Sequence, residues 1–104
     1  KPSALMGFYA MTKAGLETLT KVMAAEWVAQ NIRVNALAPG SYMTDMLSNS
    51  FGIPGFEEAT LNSNVQKRIA DAEEIVGPLL YLVSDMGAYT TGSTVVADGG
   101  FMVS

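Results

Sequence analysis

The 104-residue sequence contains no cysteine and no histidine. Without these residues the chain cannot form a disulfide, a thiol nucleophile, a Ser-His triad or a Cys/His zinc site. The spacing of its carboxylates does not suggest a metal site of another kind, so we expect no bound metal. Because the absence of disulfides is typical of intracellular proteins, we expect a cytoplasmic location.

Long hydrophobic runs and clusters of like charge are also missing. No apolar run approaches the roughly 18 residues of a membrane span, so we expect no membrane partner. The net charge of −4 is spread along the chain, which argues against a nucleic-acid surface, since such surfaces are basic. Hydrophobic residues nevertheless make up 49% of the sequence. This share indicates apolar surface beyond what the core of the chain itself requires.

The first informative feature that is present is a tyrosine and a lysine four residues apart, Tyr9 and Lys13. On a helix this spacing puts both side chains on one face. A phenol with its ordinary pKa of about 10 is a poor acid or base at neutral pH, and a nearby ammonium lowers that pKa. The pair therefore predicts proton transfer in a carbonyl/alcohol interconversion. The alternative is a surface tyrosine beside a solvated lysine, because short motifs often arise by chance.

The pattern around this pair predicts a long helix followed by a short strand. Apolar side chains recur at three- and four-residue spacing over residues 8–30, which is typical of a helix with one apolar face. Asn31 would end this helix, because asparagine tolerates the left-handed cap conformation. A strand is expected at 32–38, closed by Pro39-Gly40.

The second half of the chain predicts a helix and a strand in the same order. Asp71 followed three residues later by Glu74 is a capping signal for a helix at 72–84. Pro78 lies within this range, so we expect a kink or a late first turn. A β-branched strand is expected at 93–98. Residues 41–66 show no lasting period beyond one short helix near 57–64, and so long an irregular segment is usually functional.

Four segments agree in order and spacing with one enzyme family. They are Tyr9-x-x-x-Lys13-Ala14-Gly15, residues 32–40, Thr44-Asp45-Met46 and Asp98-Gly99-Gly100. The first segment alone is weak evidence, but the four together are strong. The sequence therefore resembles the C-terminal part of a short-chain dehydrogenase/reductase, over nearly all residues except 47–66.

This resemblance implies an NAD(P)-dependent oxidoreductase that interconverts a ketone and a secondary alcohol by hydride transfer. Tyr9 would be the general acid/base on the substrate oxygen, and Lys13 would lower its pKa and bind the nicotinamide ribose, so that both belong to the cofactor site. The Pro39-Gly40 turn would lie at the nicotinamide. The backbone of Tyr42 and the hydroxyl of Thr44 would hold the carboxamide and nearby phosphates, although Thr44 is as well explained as a helix cap.

The resemblance also implies a doubly wound α/β fold, of which residues 1–104 would be a partial Rossmann-like domain. The two strands would be adjacent and parallel at one edge of the full sheet. Residues 41–66 would form a substrate lid, whose apolar residues suggest an apolar binding surface: Met46, Leu47, Phe51, Ile53 and Phe56. The Gly-rich dinucleotide loop and the catalytic serine and asparagine of the family do not occur in this sequence, so we expect the N-terminal dinucleotide-binding half to be absent.

Two functions from different classes remain. The first is part of an NAD(P)-dependent oxidoreductase acting on a small carbonyl or alcohol, with the 104-residue chain inactive by itself. The second is a catalytically silent interaction or assembly fragment. Its partner would be a second copy of the chain or the missing N-terminal half, because apolar surface and an unpaired strand edge favour pairing with another chain.

Overall fold

A computed structural model describes residues 7–103 of the chain, apart from the side chain of Tyr9. Within these residues, 3-10 turns connect four α-helices and four short strands. The helices are α1 (Gly7–Trp27), α2 (Asp45–Asn49), α3 (Phe56–Asn62) and α4 (Val76–Val83). The strands are β1 (Ala36–Pro39), β2 (Tyr42–Met43), β3 (Ala70–Asp71) and β4 (Thr94–Ala97).

Helix α1 confirms the long helix predicted at 8–30. Its last α-helical residue is Trp27, and a 3-10 turn continues it from Val28 to Gln30. Asn31 then adopts the left-handed conformation, with φ of 61°, and its N–H donates to the Val28 carbonyl. The predicted asparagine cap is therefore confirmed.

Strands β1 and β4 are adjacent and parallel, as the resemblance implied, with Ala36 opposite Thr94 and Pro39 opposite Ala97. Both strands are shorter than the ranges predicted, 32–38 and 93–98. The first begins only at Ala36, because side-chain hydrogen bonds hold the two residues before it. Val34 N donates to Thr91 Oγ1 at 3.1 Å, and Asn35 Nδ2 donates to the Thr90 carbonyl at 2.9 Å.

A second parallel pair, β2 with β3, corrects the prediction of only two strands. Tyr42 lies opposite Ala70, and Met43 lies opposite Asp71. Strands of two residues carry no period that a sequence pattern could reveal. The pair joins the two ends of the irregular segment, so that α2 and α3 lie in one closed loop between β2 and β3.

The second main helix starts as its capping signal predicted. The Asp71 N–H donates to the Glu74 carboxylate at 2.7 Å. The chain first forms a 3-10 turn, Ala72–Ile75, and α4 follows from Val76. Pro78 therefore lies in the first turn of α4, where a missing N–H removes no intrahelical bond. The late first turn is confirmed.

Much apolar surface of the chain is exposed. The accessible surface is 7438 Å² for 11.0 kDa, whereas a compact monomer of that mass exposes about 5,600 Å². Leu16 and Leu19 of α1 are 50% and 51% exposed, and Val83 of α4 is 66% exposed. These helices thus have the uncovered apolar faces that the composition suggested. Between residues 7 and 103, no helix has the length and apolarity needed to cross a membrane.

Candidate active site

A cavity of about 580 Å³ lies at the carboxyl end of β1. One side is formed by the end of this strand and the loop after it, and the other by α2, α3 and the turn before α4. The lining residues are Pro39, Gly40, Ser41, Tyr42, Thr44, Met46, Leu47, Ser50, Phe56, Ala72 and Ile75. Parallel α/β sheets bind their ligands at this end of their strands.

Four of the residues that the resemblance assigned to cofactor binding line this cavity together. Pro39 is the last residue of β1, and Gly40 follows it directly. Tyr42 begins β2, and Thr44 is the N-cap of α2. The structure thus brings to one cavity residues that the sequence placed in a turn, in the irregular segment and at a helix start.

The other two predicted site residues, Tyr9 and Lys13, belong to α1. The helical backbone places their positions one turn apart, which is the geometry that the sequence predicted. The Lys13 side chain is exposed and is not among the residues that line the cavity. The Tyr9 side chain lies outside the described part of the chain. Their catalytic roles therefore stay predictions.

Gly40, which lines the cavity, packs closely on the backbone of Asp98. Its N–H donates to the Ala97 carbonyl at 3.0 Å. A Cβ added to Gly40 would lie 2.6 Å from Asp98 Cα and 2.9 Å from the Asp98 carbonyl oxygen. Both are backbone atoms that cannot move away cheaply. The close packing of this loop on Asp98 therefore requires glycine.

The Tyr42 side chain makes a second link to the same carbonyl. Its hydroxyl donates to the Ala97 carbonyl at 2.8 Å. Burial raises the pKa of this phenol, and the Glu74 carboxylate adds to the effect. The phenol therefore stays protonated at neutral pH and remains a donor. Together with Gly40, it fastens the loop after β1 to the end of β4.

Thr44 serves as the helix cap that was one of its two predicted roles. Its Oγ1 accepts a hydrogen bond from the Leu47 N–H at 3.3 Å. This bond satisfies one of the N–H groups at the start of α2. Capping does not exclude a cofactor contact, since the hydroxyl retains a donor.

The turn after β4 gives Asp98-Gly99-Gly100 a structural role. The Asp98 carboxylate accepts from Gly100 N at 2.8 Å and from Met102 N at 3.1 Å. Gly100 has a φ of 89°, and a Cβ there would collide with the Val65 side chain. Conformation and space therefore both favour glycine at this position.

An ion pair holds the end of the lid segment in place. Arg68 donates to both carboxylate oxygens of Glu74, at 2.8 and 2.7 Å. The hydrogen bond from Arg68, with a further one from the Asp71 N–H, lowers the pKa of Glu74 to about 2. The pair ties the residues before β3 to the turn before α4.

The predicted apolar lid residues divide into two groups. Met46, Leu47 and Phe56 line the cavity. Phe51 and Ile53 do not; the Phe51 ring instead packs on Phe56, with centroids 6.2 Å apart. No sequence pattern identified the other four lining residues, which are Ser41, Ser50, Ala72 and Ile75. Ile75 was assigned to a helix start, and no local signal indicates that the fold brings this turn against the lid.

The cavity suits the nicotinamide end of a dinucleotide. A flat ring with one carboxamide fits an apolar cavity bordered by a backbone turn, and cavities of about 300–1,000 Å³ are typical of small-molecule sites. Residues 39, 40, 42 and 44 would hold this end. The sequence contains no Gly-rich loop for the pyrophosphate. Among residues 7–103, no group of three or more acidic side chains is placed to hold a metal ion.

Sequence comparison identifies close relatives. A family model described as enoyl-(acyl carrier protein) reductase matches residues 3–102. The chain is 44% identical over 96 residues to L-xylulose reductase of Bos taurus, a match that covers 92% of this chain and 39% of that protein. It is 42% identical over 95 residues to the ribulose-forming D-arabinitol 2-dehydrogenase of Scheffersomyces stipitis, covering 89% of this chain and 34% of that protein.

Solved structures that resemble this chain are likewise named as dehydrogenases. A 4-hydroxyisoleucine dehydrogenase complexed with NADH matches with a TM-score of 0.81 and 33% identity, covering 92% of this chain and 40% of that one. A putative 2-deoxy-D-gluconate 3-dehydrogenase from Agrobacterium tumefaciens with bound NADP matches with a TM-score of 0.83 and 32% identity, covering 92% and 39%. The chain thus spans about two fifths of the length of its relatives. It belongs to the short-chain dehydrogenase/reductase family and has the Rossmann-like α/β fold of that family.

Proposed function

We propose that this chain is the C-terminal part of an NAD(P)-dependent oxidoreductase that interconverts a ketone and a secondary alcohol. The observation that carries the proposal is the cavity at the end of β1, lined by Pro39, Gly40, Tyr42 and Thr44. Family membership supports it, and so do relatives whose names are those of reductases and dehydrogenases. When bound, NAD or NADP would supply or accept the hydride.

In this proposal Tyr9 handles the proton. Its phenol donates a proton to the carbonyl oxygen during reduction and accepts one from the alcohol during oxidation. Lys13, one helical turn away in α1, lowers the pKa of the phenol and binds the nicotinamide ribose. The i,i+4 spacing on a continuous α-helix supports this division of roles.

The loop after β1 holds the nicotinamide end of the cofactor. Gly40 and the Tyr42 hydroxyl both bind the Ala97 carbonyl, so the loop is fixed before any ligand arrives. Such preorganisation lowers the free-energy cost of ordering a site on binding. Thr44 keeps its hydroxyl at the mouth of the cavity while it caps α2.

The test is oxidation of reduced nicotinamide by the complete subunit that carries this chain. We expect NADH or NADPH to be consumed only when a ketone is added, and the secondary alcohol to accumulate in equal amount. The 104-residue chain alone should show no saturable cofactor binding in a calorimetric titration. A complete subunit that consumes neither cofactor with any ketone would contradict the proposal.

A second candidate is an assembly fragment without catalysis of its own. The exposed apolar side chains on α1, which include Met11, Leu16 and Leu19, favour it, because large exposed apolar patches mark interaction surfaces. Light scattering of the 104-residue chain should then show a dimer or larger species. Replacing Leu16 and Leu19 with glutamine should shift it toward monomer. A monomer at high concentration before any substitution would exclude self-assembly.

A further inference from the structure

We propose that the substrate of this site carries an apolar chain or ring beside its carbonyl carbon, rather than the row of hydroxyl groups of a sugar. This inference rests on the proposed oxidoreductase function and names the class of ketone. It depends on two observations of the 580 Å³ cavity: which side chains form its lid side, and how its hydroxyl groups are bonded.

The lid side of the cavity is apolar. Met46 and Leu47 from α2, Phe56 from α3 and Ile75 from the turn before α4 line it. Leu47, Phe56 and Ile75 are half-buried, and Met46 is 82% exposed at the surface. A substrate entering between this wall and the loop after β1 would bury apolar surface on both partners. Such burial favours an alkyl or aryl group.

Four hydroxyl-bearing side chains line the cavity, those of Ser41, Tyr42, Thr44 and Ser50, and the last three bond to the chain itself. The Tyr42 hydroxyl donates to the Ala97 carbonyl at 2.8 Å. Thr44 Oγ1 accepts from Leu47 N at 3.3 Å, and Ser50 Oγ donates to the Met46 carbonyl at 3.1 Å. The Tyr42 and Ser50 hydroxyls thus donate their protons to backbone carbonyls, so neither proton is available to a ligand. Thr44 only accepts, and its hydroxyl retains a donor for the proposed cofactor contact.

A polyhydroxylated substrate would fit this wall poorly. Each sugar hydroxyl that leaves water needs a partner, and a hydroxyl buried against Met46, Leu47 or Phe56 would find none. Unpaired buried polar groups oppose binding, which is how enzyme sites reject the wrong substrate. An alkyl chain of the same length carries no such requirement. The wall therefore selects for the apolar ketone.

The test compares two ketones with the same five-carbon skeleton, pentan-2-one and L-xylulose, in the complete subunit. They differ in the hydroxyl groups that the wall is expected to reject. We expect kcat/KM for pentan-2-one to exceed that for L-xylulose by about tenfold or more. A preference for L-xylulose would overturn this inference and leave the oxidoreductase function intact. If the cofactor were oxidised with neither of these ketones nor with any other ketone, the proposed function itself would be contradicted.

A matched pair of methionine variants examines the wall directly. Met46→Ser removes an apolar side chain from the cavity, while Met86→Ser changes a methionine that is 77% exposed and lies outside the cavity. We expect Met46→Ser to lower kcat/KM for octan-2-one about fivefold and Met86→Ser to leave it unchanged. Because Met46 is so exposed, thermal unfolding should be the same in both variants. Equal kinetics in both would overturn the inference.

Binding without turnover gives an independent readout. Saturation-transfer NMR of octan-2-ol with the complete subunit should show the strongest transfer to the alkyl protons. The Met46→Ser variant should weaken that transfer, and Met86→Ser should not. Uniform transfer that neither variant changes would show that the alkyl chain does not lie against this wall.

Discussion

The strand pair β1–β4 and the helix α1 are held in place in different ways. Across the strand pair, side-chain hydrogen bonds join residues that are 55 to 57 positions apart, as between Asn35 and Thr90, Tyr42 and Ala97, and Arg33 and Thr90. In α1, the hydroxyls of Thr12, Thr18 and Thr20 bond to carbonyls four residues back in the same helix.

This difference separates the two halves of the proposed site. Contacts within this chain define the loop after β1, including Gly40, whose added Cβ would lie 2.6 Å from Asp98 Cα. The helix that carries Tyr9 and Lys13 instead presents half-exposed leucines to its surroundings. The loop after β1 is thus fixed by contacts within this chain, while the position of α1 rests on fewer contacts. Substitutions in the two regions should have correspondingly different effects.

The largest effect on stability should come from Gly40→Ala. Its Cβ would lie 2.6 Å from the Asp98 backbone, so the loop and the Asp98 turn would have to separate, at a cost of about 3 kcal/mol. Urea unfolding measures the change. The same substitution at Gly15, where a Cβ meets nothing within 4 Å, should stabilise α1 by about 1 kcal/mol. Equal effects at the two glycines would contradict the comparison.

Asn35→Ala, at the other end of the strand pair, should lower the free energy of unfolding by about 2 kcal/mol. The amide donates to the Thr90 carbonyl and accepts from Ser93 N at 3.1 Å, so its removal leaves two backbone groups without these partners. The midpoint of urea unfolding reports the loss. As a control, Asn49→Ala changes an exposed residue at the end of α2. Its midpoint of urea unfolding should equal that of the parent. If both variants unfold alike, the Asn35 bridge contributes no stability.

Tyr42→Phe should cost about 1 kcal/mol, because it removes one neutral hydrogen bond while the ring stays in place. The Ala97 carbonyl would keep the bond from Gly40 N, which limits the effect. Tyr89→Phe makes the same change at a fully exposed tyrosine and should leave the temperature of thermal unfolding unchanged. An unchanged unfolding temperature for Tyr42→Phe would show that this hydroxyl does not stabilise the loop after β1.

The smallest effect should be the pH dependence due to Glu74, which is an exposed group. Its folded pKa of about 2 lies below the ordinary value of 4.5, so the folded state binds fewer protons there than the unfolded state. The stabilisation is present above the ordinary pKa and is lost as the pH falls toward the folded pKa. Glu74→Gln should flatten this acid limb of the stability profile, whereas Glu73→Gln should retain it. An unchanged acid limb in Glu74→Gln would refute the assignment.

The sequence predicted the elements with strong local signals and missed those set by distant contacts. Periodic apolar residues located α1, and an asparagine cap and a capping box located two helix ends correctly. The β2–β3 pair and the cavity position of Ile75 depend on residues about 30 positions apart in the chain. No local pattern encodes such contacts. The site residues on the loop after β1 were predicted from the family resemblance, because the side chains of a Pro-Gly turn do not indicate a ligand.

The central claim is that Tyr9 transfers the proton in a ketone/alcohol interconversion, and Tyr9→Phe in the complete subunit tests it most directly. The variant keeps the ring and removes the hydroxyl, and Tyr89→Phe serves as the matched control. We predict that Tyr9→Phe lowers kcat for ketone reduction by about a hundredfold or more, while cofactor binding measured by nicotinamide fluorescence is retained. Turnover equal to that of the parent and of Tyr89→Phe would contradict the claim.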